Sequence, residues 1–217
     1  MKPYTRQLLE NLTTNPKEFY YSNGGATSLL KCYFGGEDIT TLIPLLSNEN
    51  EYVQRCGVFV ASEMGGEACI LLPYVLNLLE SDPSPDVMWD ALDIVAVCSV
   101  GQNSSCFQIV LNCLGNHDKA LAKRAMRLSS LATESQLLAV KEYFAKTTST
   151  ASEHILGLDM LLNGNKVDAL RGLASDRLLL ASYSAVYFSR ANLPKERLKD
   201  MAQTCQHEHV VEFLKDD

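Results

Sequence analysis

Val53-Gln54-Arg55-Cys56-Gly57, Val87-Met88-Trp89-Asp90-Ala91 and Leu121-Ala122-Lys123-Arg124-Ala125 follow one another at intervals of 34 residues. Each segment opens on an apolar residue and carries a small one four positions later. On a helix those two positions share a face. A small residue there lets a neighbouring helix approach closely, as stacked helices require. A fixed period of this length marks a repeat architecture, in which each unit buries its apolar face against the next.

A shorter apolar segment and a polar turn precede each of the three. Leu42-Ile43-Pro44-Leu45-Leu46 leads into Ser47-Asn48-Glu49-Asn50, and Leu71 to Leu79 leads into Ser81-Asp82-Pro83-Ser84-Pro85. Phe107 to Leu114 leads into Gly115-Asn116-His117-Asp118. These turns combine helix stops with N-cap residues. Gly65-Gly66 and Gly101 close the second helices in the same way. Alternating runs of Val, Ile and Thr bounded by hairpin turns are missing, so the spacing predicts helices throughout.

The succession Leu-Leu-Pro, Leu-Leu, Asp, Val and Ala between Leu71 and Ala91 resembles a unit of the HEAT-repeat family. Val53, followed two residues on by Arg55, is similar to that family's Val-x-Arg habit. The resemblance implies an all-α chain, a right-handed α-solenoid of about five to six stacked helix pairs. Residues 1–217 would form one such domain. Residues 1–35 would be an N-terminal cap, interrupted at Tyr20-Tyr21-Ser22-Asn23-Gly24-Gly25. The repeats are clearest over 37–132 and degenerate over 134–217, with pairs expected at 134–163, 165–190 and 194–214.

The chain carries a net charge of −7, unevenly spread. Residues 1–110 hold 5 Lys or Arg against 13 Asp or Glu, a net of −8, and residues 111–217 hold 14 against 13, a net of +1. From Cys32 to Asp118 there are 12 acids and one base, Arg55. An acidic field repels nucleic acid and anionic membrane and steers basic partners inward; it also serves solubility alone. With 47% hydrophobic and 21% charged residues, the composition is that of a folded domain. The longest apolar run, Ile70 to Leu76, falls short of a membrane span, and no apolar signal core follows Met1. A cytoplasmic location is expected.

Seven cysteines, an odd number without a CxxC pair, indicate neither a disulfide framework nor a zinc knuckle. They read as small buried hydrophobes. His207 and His209 lie two apart, on different sides of a helix, and no HExxH is present. No metal site, cofactor or catalytic residue is predicted. GxSxG, P-loop and GxGxxG motifs do not occur. Glu37-Asp38 sits at a helix start, where acids favour the helix dipole.

One constellation invites a binding role. In the helix at 86–99, Val87, Met88, Ala91, Leu92, Val95 and Cys98 form one apolar face. Asp86, Trp89, Asp90 and Asp93 fall towards the other side. Trp89 is the only tryptophan. An indole among carboxylates resembles an interface hot spot, although packing against an adjacent repeat would also account for it. By the 34-residue register Arg55, Trp89 and Lys123 are equivalent, as are Phe59, Asp93 and Arg127. In a HEAT-like stack, second helices line the concave face, and these six residues would form a ladder across it from acidic to basic.

The expected function is therefore non-enzymatic capture of another protein, a basic one, by a chain that is monomeric when free. An immunity protein that masks a basic toxin domain is the specific form. A general adaptor or assembly factor is the alternative. A HEAT-like DNA glycosylase ranks lower because a duplex binder shows a basic footprint. A phycobiliprotein lyase would need an open pigment cleft. No nucleic acid and no membrane are expected as partners.

Overall fold

Proline and side-chain caps decide where the helices begin. Pro3, Pro16 and Pro85 stand in the first turns of α1 (Pro3–Thr14), α2 (Pro16–Tyr21) and α7 (Pro85–Cys98), where a missing N–H costs nothing. Asn50 caps α5 (Glu51–Glu63) by accepting from the Tyr52 N–H. Asp118 caps α9 (Lys119–Ser130) by accepting from Ala120 and Leu121. Thr133 and Gln136 form a reciprocal capping box on α10 (Glu134–Lys146). In this computed structural model residues 1–21, 24–147 and 151–216 are described, without the side chain of Ala151. Ser22 and Asn23, in the expected interruption of the N-terminal cap, lie outside the described residues.

Among the described residues the secondary structure is entirely helical, and the packing divides the chain into two compact units, Met1–Cys98 and Ser99–Asp217. The first unit also holds α3 (Gly25–Phe34), α4 (Ile43–Leu46) and α6 (Leu72–Glu80), the last two each entered through a 3₁₀ segment, Ile39–Leu42 and Gly65–Leu71. α3 packs on α5 and α5 on α7, while α4 packs on α5 and α6 on α7; α4 also touches α6. Gly57 shows why the position four after Val53 is small. A Cβ there would stand 2.8 Å from the Leu45 Cβ of α4. Ala91, its counterpart 34 residues on, is fully buried. Gly65 follows the end of α5 at φ +56°, a left-handed conformation that ends the helix.

The second unit runs through α8 (Gln108–Asn112), α9, α10, α11 (Ala151–Asn163), α12 (Lys166–Leu173), α13 (Leu178–Arg190), α14 (Lys195–Ala202) and α15 (Glu208–Asp216). The segments read as pairs at 134–163, 165–190 and 194–214 hold α10 with α11, α12 with α13, and α14 with α15. α13 is central: it packs on α9, α11, α12 and α15, and its residues Leu180 to Val186 are all buried. Gly157 on α11 admits the Tyr183 ring so closely that a Cβ would fall 2.2 Å from it.

The reading of the cysteines needs one correction. Cys69 and Cys98 form a disulfide, with Cα atoms 4.9 Å apart. α7 packs back along the Gly65–Leu71 segment, which joins two residues whose sequence spacing of 29 carries no motif. The other five cysteines are free thiols. Burial pushes Cys56 up to about 12 and Cys113 up to about 11, so neither is a thiolate near neutral pH. No helix among the described residues is long and apolar enough to cross a membrane.

Candidate partner-binding surface

Tyr52, Arg55 and Phe59 follow one another along α5 at helical spacing, and each is half-buried. Asp86, Trp89, Asp90 and Asp93 do the same on α7; Asp86 is exposed and the other three are half-buried. The two stripes belong to helices that pack directly on one another. The six expected residues of the first unit thus come together on neighbouring helices. Trp89 is neither a core residue nor a fully exposed one.

Arg55 is the centre of this surface. Its Nη2 lies 2.7 Å from a carboxylate oxygen of Asp86, and its Nη1 donates to the Tyr21 hydroxyl at 2.8 Å. The guanidinium carbon stands 4.7 Å from the Tyr20 ring centroid and 5.6 Å from that of Tyr21, within cation–π range. Tyr21 meets Tyr20 and Tyr52 edge-on, at 5.3 and 5.8 Å between centroids. Burial works against the Arg55 charge, but the Tyr21 hydrogen bond and the fields of Tyr20 and Asp86 outweigh it and hold its pKa above the usual arginine value. Burial, opposed by Arg55, lifts the Tyr20 phenol above its ordinary range.

Sequence reasoning passed over Tyr20, Tyr21 and Tyr52. A signal for one of them was present: Tyr21 lies 34 residues before Arg55, so the register that links Arg55, Trp89 and Lys123 extends one step back to it.

Lys123 and Arg127 belong to the second unit, where α15 occupies them. Lys123 Nζ lies 3.1 Å from Glu212 and 3.0 Å from Asp216. Arg127 lies 3.8 Å from Asp216, and Lys119 pairs with Glu208. Three acids at four-residue intervals on α15 thus face three bases at four-residue intervals on α9. Donating to these carboxylates raises the Lys119 and Lys123 pKa values, and accepting from the lysines lowers those of Glu208 and Asp216. Most of these side chains are exposed, so solvent screens the pairs and they add little to stability. They do, however, match the basic charge of α9 internally.

The remaining chemical candidates have structural duties. Glu37 accepts from the Lys2 N–H and the Thr5 hydroxyl, both at 2.8 Å, which satisfies the start of α1 and lowers its pKa. Asp38 caps the Ile39–Leu42 segment through Thr40. Among the described residues no group of three or more His, Cys, Asp or Glu side chains converges to hold a metal ion. No family model matches the chain, no curated protein matches it, and no solved structure matches it.

Proposed function

We propose that the chain is a non-enzymatic binding protein that captures a basic partner protein on the face shared by α5 and α7. The observation that carries this is the state of Arg55. It is the one base between Cys32 and Asp118, and Asp86, Tyr20 and Tyr21 hold it in place. Its charge is spent inside the surface, which leaves a half-buried tryptophan and a field dominated by acids. Aromatic anchors within a charged rim are what protein interfaces use, and acidic fields accelerate capture of basic partners. An immunity protein that masks a basic toxin domain is the specific form proposed; a general adaptor shares the same chemistry.

The right-handed HEAT-like solenoid is part of this proposal. The pairwise packing inside the first unit, α3 on α5 and α5 on α7 with α4 against α6, supports it. A cytoplasmic location belongs to it too, supported by five free thiols; the Cys69–Cys98 disulfide is the observation against it, since disulfides are rare there.

The test begins with affinity capture at low and high salt. Any single basic protein retained is then purified and its affinity measured by calorimetry. Trp89→Ala should weaken binding by about tenfold or more at a temperature where the variant is still folded, and Asp93→Asn should slow association at low salt. Retention of nucleic acid alone, or equal affinity of both variants and the parent chain, would sink the proposal.

A further inference from the structure

The end of α9 leaves carbonyls that no helical N–H can reach. One nitrogen of Arg190, Nη1, serves them, donating to the carbonyls of Ser129 and Ser130 at 3.3 Å each and of Ala132 at 2.6 Å. That occupies a single edge of a planar group with five donors. Nε and Nη2, which share the opposite edge, have no protein partner among the described residues, and neither is a buried orphan, so both reach solvent. Burial lowers the Arg190 pKa. The half-buried guanidinium thus keeps one edge without a carboxylate counter-ion among the described residues.

Arg190 lines a cleft of about 600 Å³ between the ends of α9 and α13 and the start of α14. Ser130, Ser189 and Asn192 line it too, as do Leu131 and Leu198. Leu131 is 80% exposed, an unusual state for a leucine beside a polar cleft. The volume is that of small-molecule sites, which combine apolar walls with a few convergent polar groups.

We propose that this cleft binds a small organic acid. The Nε and Nη2 edge of Arg190 forks its carboxylate, and Leu131 and Leu198 take its apolar part. The planar fork matches a carboxylate bidentately. It would match a phosphate equally well, but α9 and α13 both end at the cleft, each with the negative pole of its helix dipole. One arginine facing two such poles suits a monoanion better than a dianion.

The test uses the full chain labelled with ¹⁵N-arginine. Benzoate and inorganic phosphate serve as probes, and the side-chain Nε–H resonance of Arg190 is the readout. Benzoate should shift that resonance saturably, at lower concentration than phosphate. Arg190→Lys keeps the charge and a donor for the carbonyls but removes the fork. It should weaken benzoate about tenfold, the worth of one charge-assisted hydrogen bond. Ser189→Ala leaves the capping bonds intact and should weaken it to a smaller degree, so the measurement survives if the lysine variant fails to fold. Tighter binding of phosphate, or no saturable shift with benzoate into the tens of millimolar, would overturn the assignment.

Discussion

Reduction of Cys69–Cys98 should cost this chain a large part of its stability. The bridge closes a loop of 29 residues that contains all of α6 and nearly all of α7. Cross-linking such a loop removes about 12 cal/mol/K of chain entropy from the unfolded state, or about 3.6 kcal/mol at room temperature. For a chain of 217 residues, each kcal/mol moves the melting temperature by about 2–4 °C. Reduction should therefore lower it by about 7–14 °C. The assay is thermal unfolding with and without a phosphine reductant, beside a Cys69→Ser, Cys98→Ser double variant that should melt low and ignore the reductant. Intact mass after alkylation of the denatured, unreduced chain counts thiols independently: five alkylated cysteines are expected. Seven would refute the pairing. Five, with a melting shift of less than about 2 °C on reduction, would refute the loop-entropy reasoning.

Two further predictions concern packing and protonation. Gly57→Ala places a Cβ 2.8 Å from the Leu45 Cβ, an atom fixed to its backbone. Overpacking costs about 1–3 kcal/mol against about 1 kcal/mol gained in helix propensity, so chemical denaturation should show a net loss of about 1 kcal/mol; a gain would mean that α4 and α5 do not meet as described. His154 stacks on Phe144 at 4.4 Å, and its Nδ1 lies 2.8 Å from the Tyr183 hydroxyl. Burial lowers its pKa, with Glu153 opposing, and burial lowers that of His209 as well. The unfolded chain then takes up protons that the folded one refuses. Stability should be complete above about pH 6.5 and fall as the pH drops below it, before the carboxylates titrate. His154→Gln should flatten that slope in urea melts between pH 7.5 and 5.5, and an unchanged slope would place the proton uptake elsewhere.

The helical class was legible because it depends on local signals. Asn50 and Asp118 cap where the turns offered cap residues, and Gly57 is small because Leu45 leaves no room. The pairings between distant residues were not legible. Lys123 reaches acids 89 and 93 positions away, and no period in the chain announces that α15 returns to α9. Cys69 and Cys98 meet because a 3₁₀ segment lies against the helix end, and a 3₁₀ turn leaves a weak trace in hydrophobic periodicity. Tyr21 is the intermediate case: the register pointed to it, but Tyr20-Tyr21 read as an interruption because glycines follow. α2 carries both rings to Arg55 nonetheless.

The two units use charge in opposite ways. In the second unit, bases and acids are nearly equal in number, and many are matched within it: α9 against α15, Lys141 against Asp159, Arg177 against Glu153. Such pairs cancel at a distance and leave little field. The first unit holds all 13 acids of residues 1–98 against 5 bases. No arrangement of side chains can neutralise that excess, so a field must extend from it whatever the local pairing. Self-repulsion of this kind destabilises a compact unit. A disulfide that constrains the unfolded state of α6 and α7 offsets it next to the proposed surface, which α7 shares with α5. If the acids served solubility alone, replacing Asp90 and Asp93 with asparagine would leave partner capture untouched. If they serve capture, the same pair of changes should slow association with a basic partner at low salt, and that outcome separates the two uses of the charge.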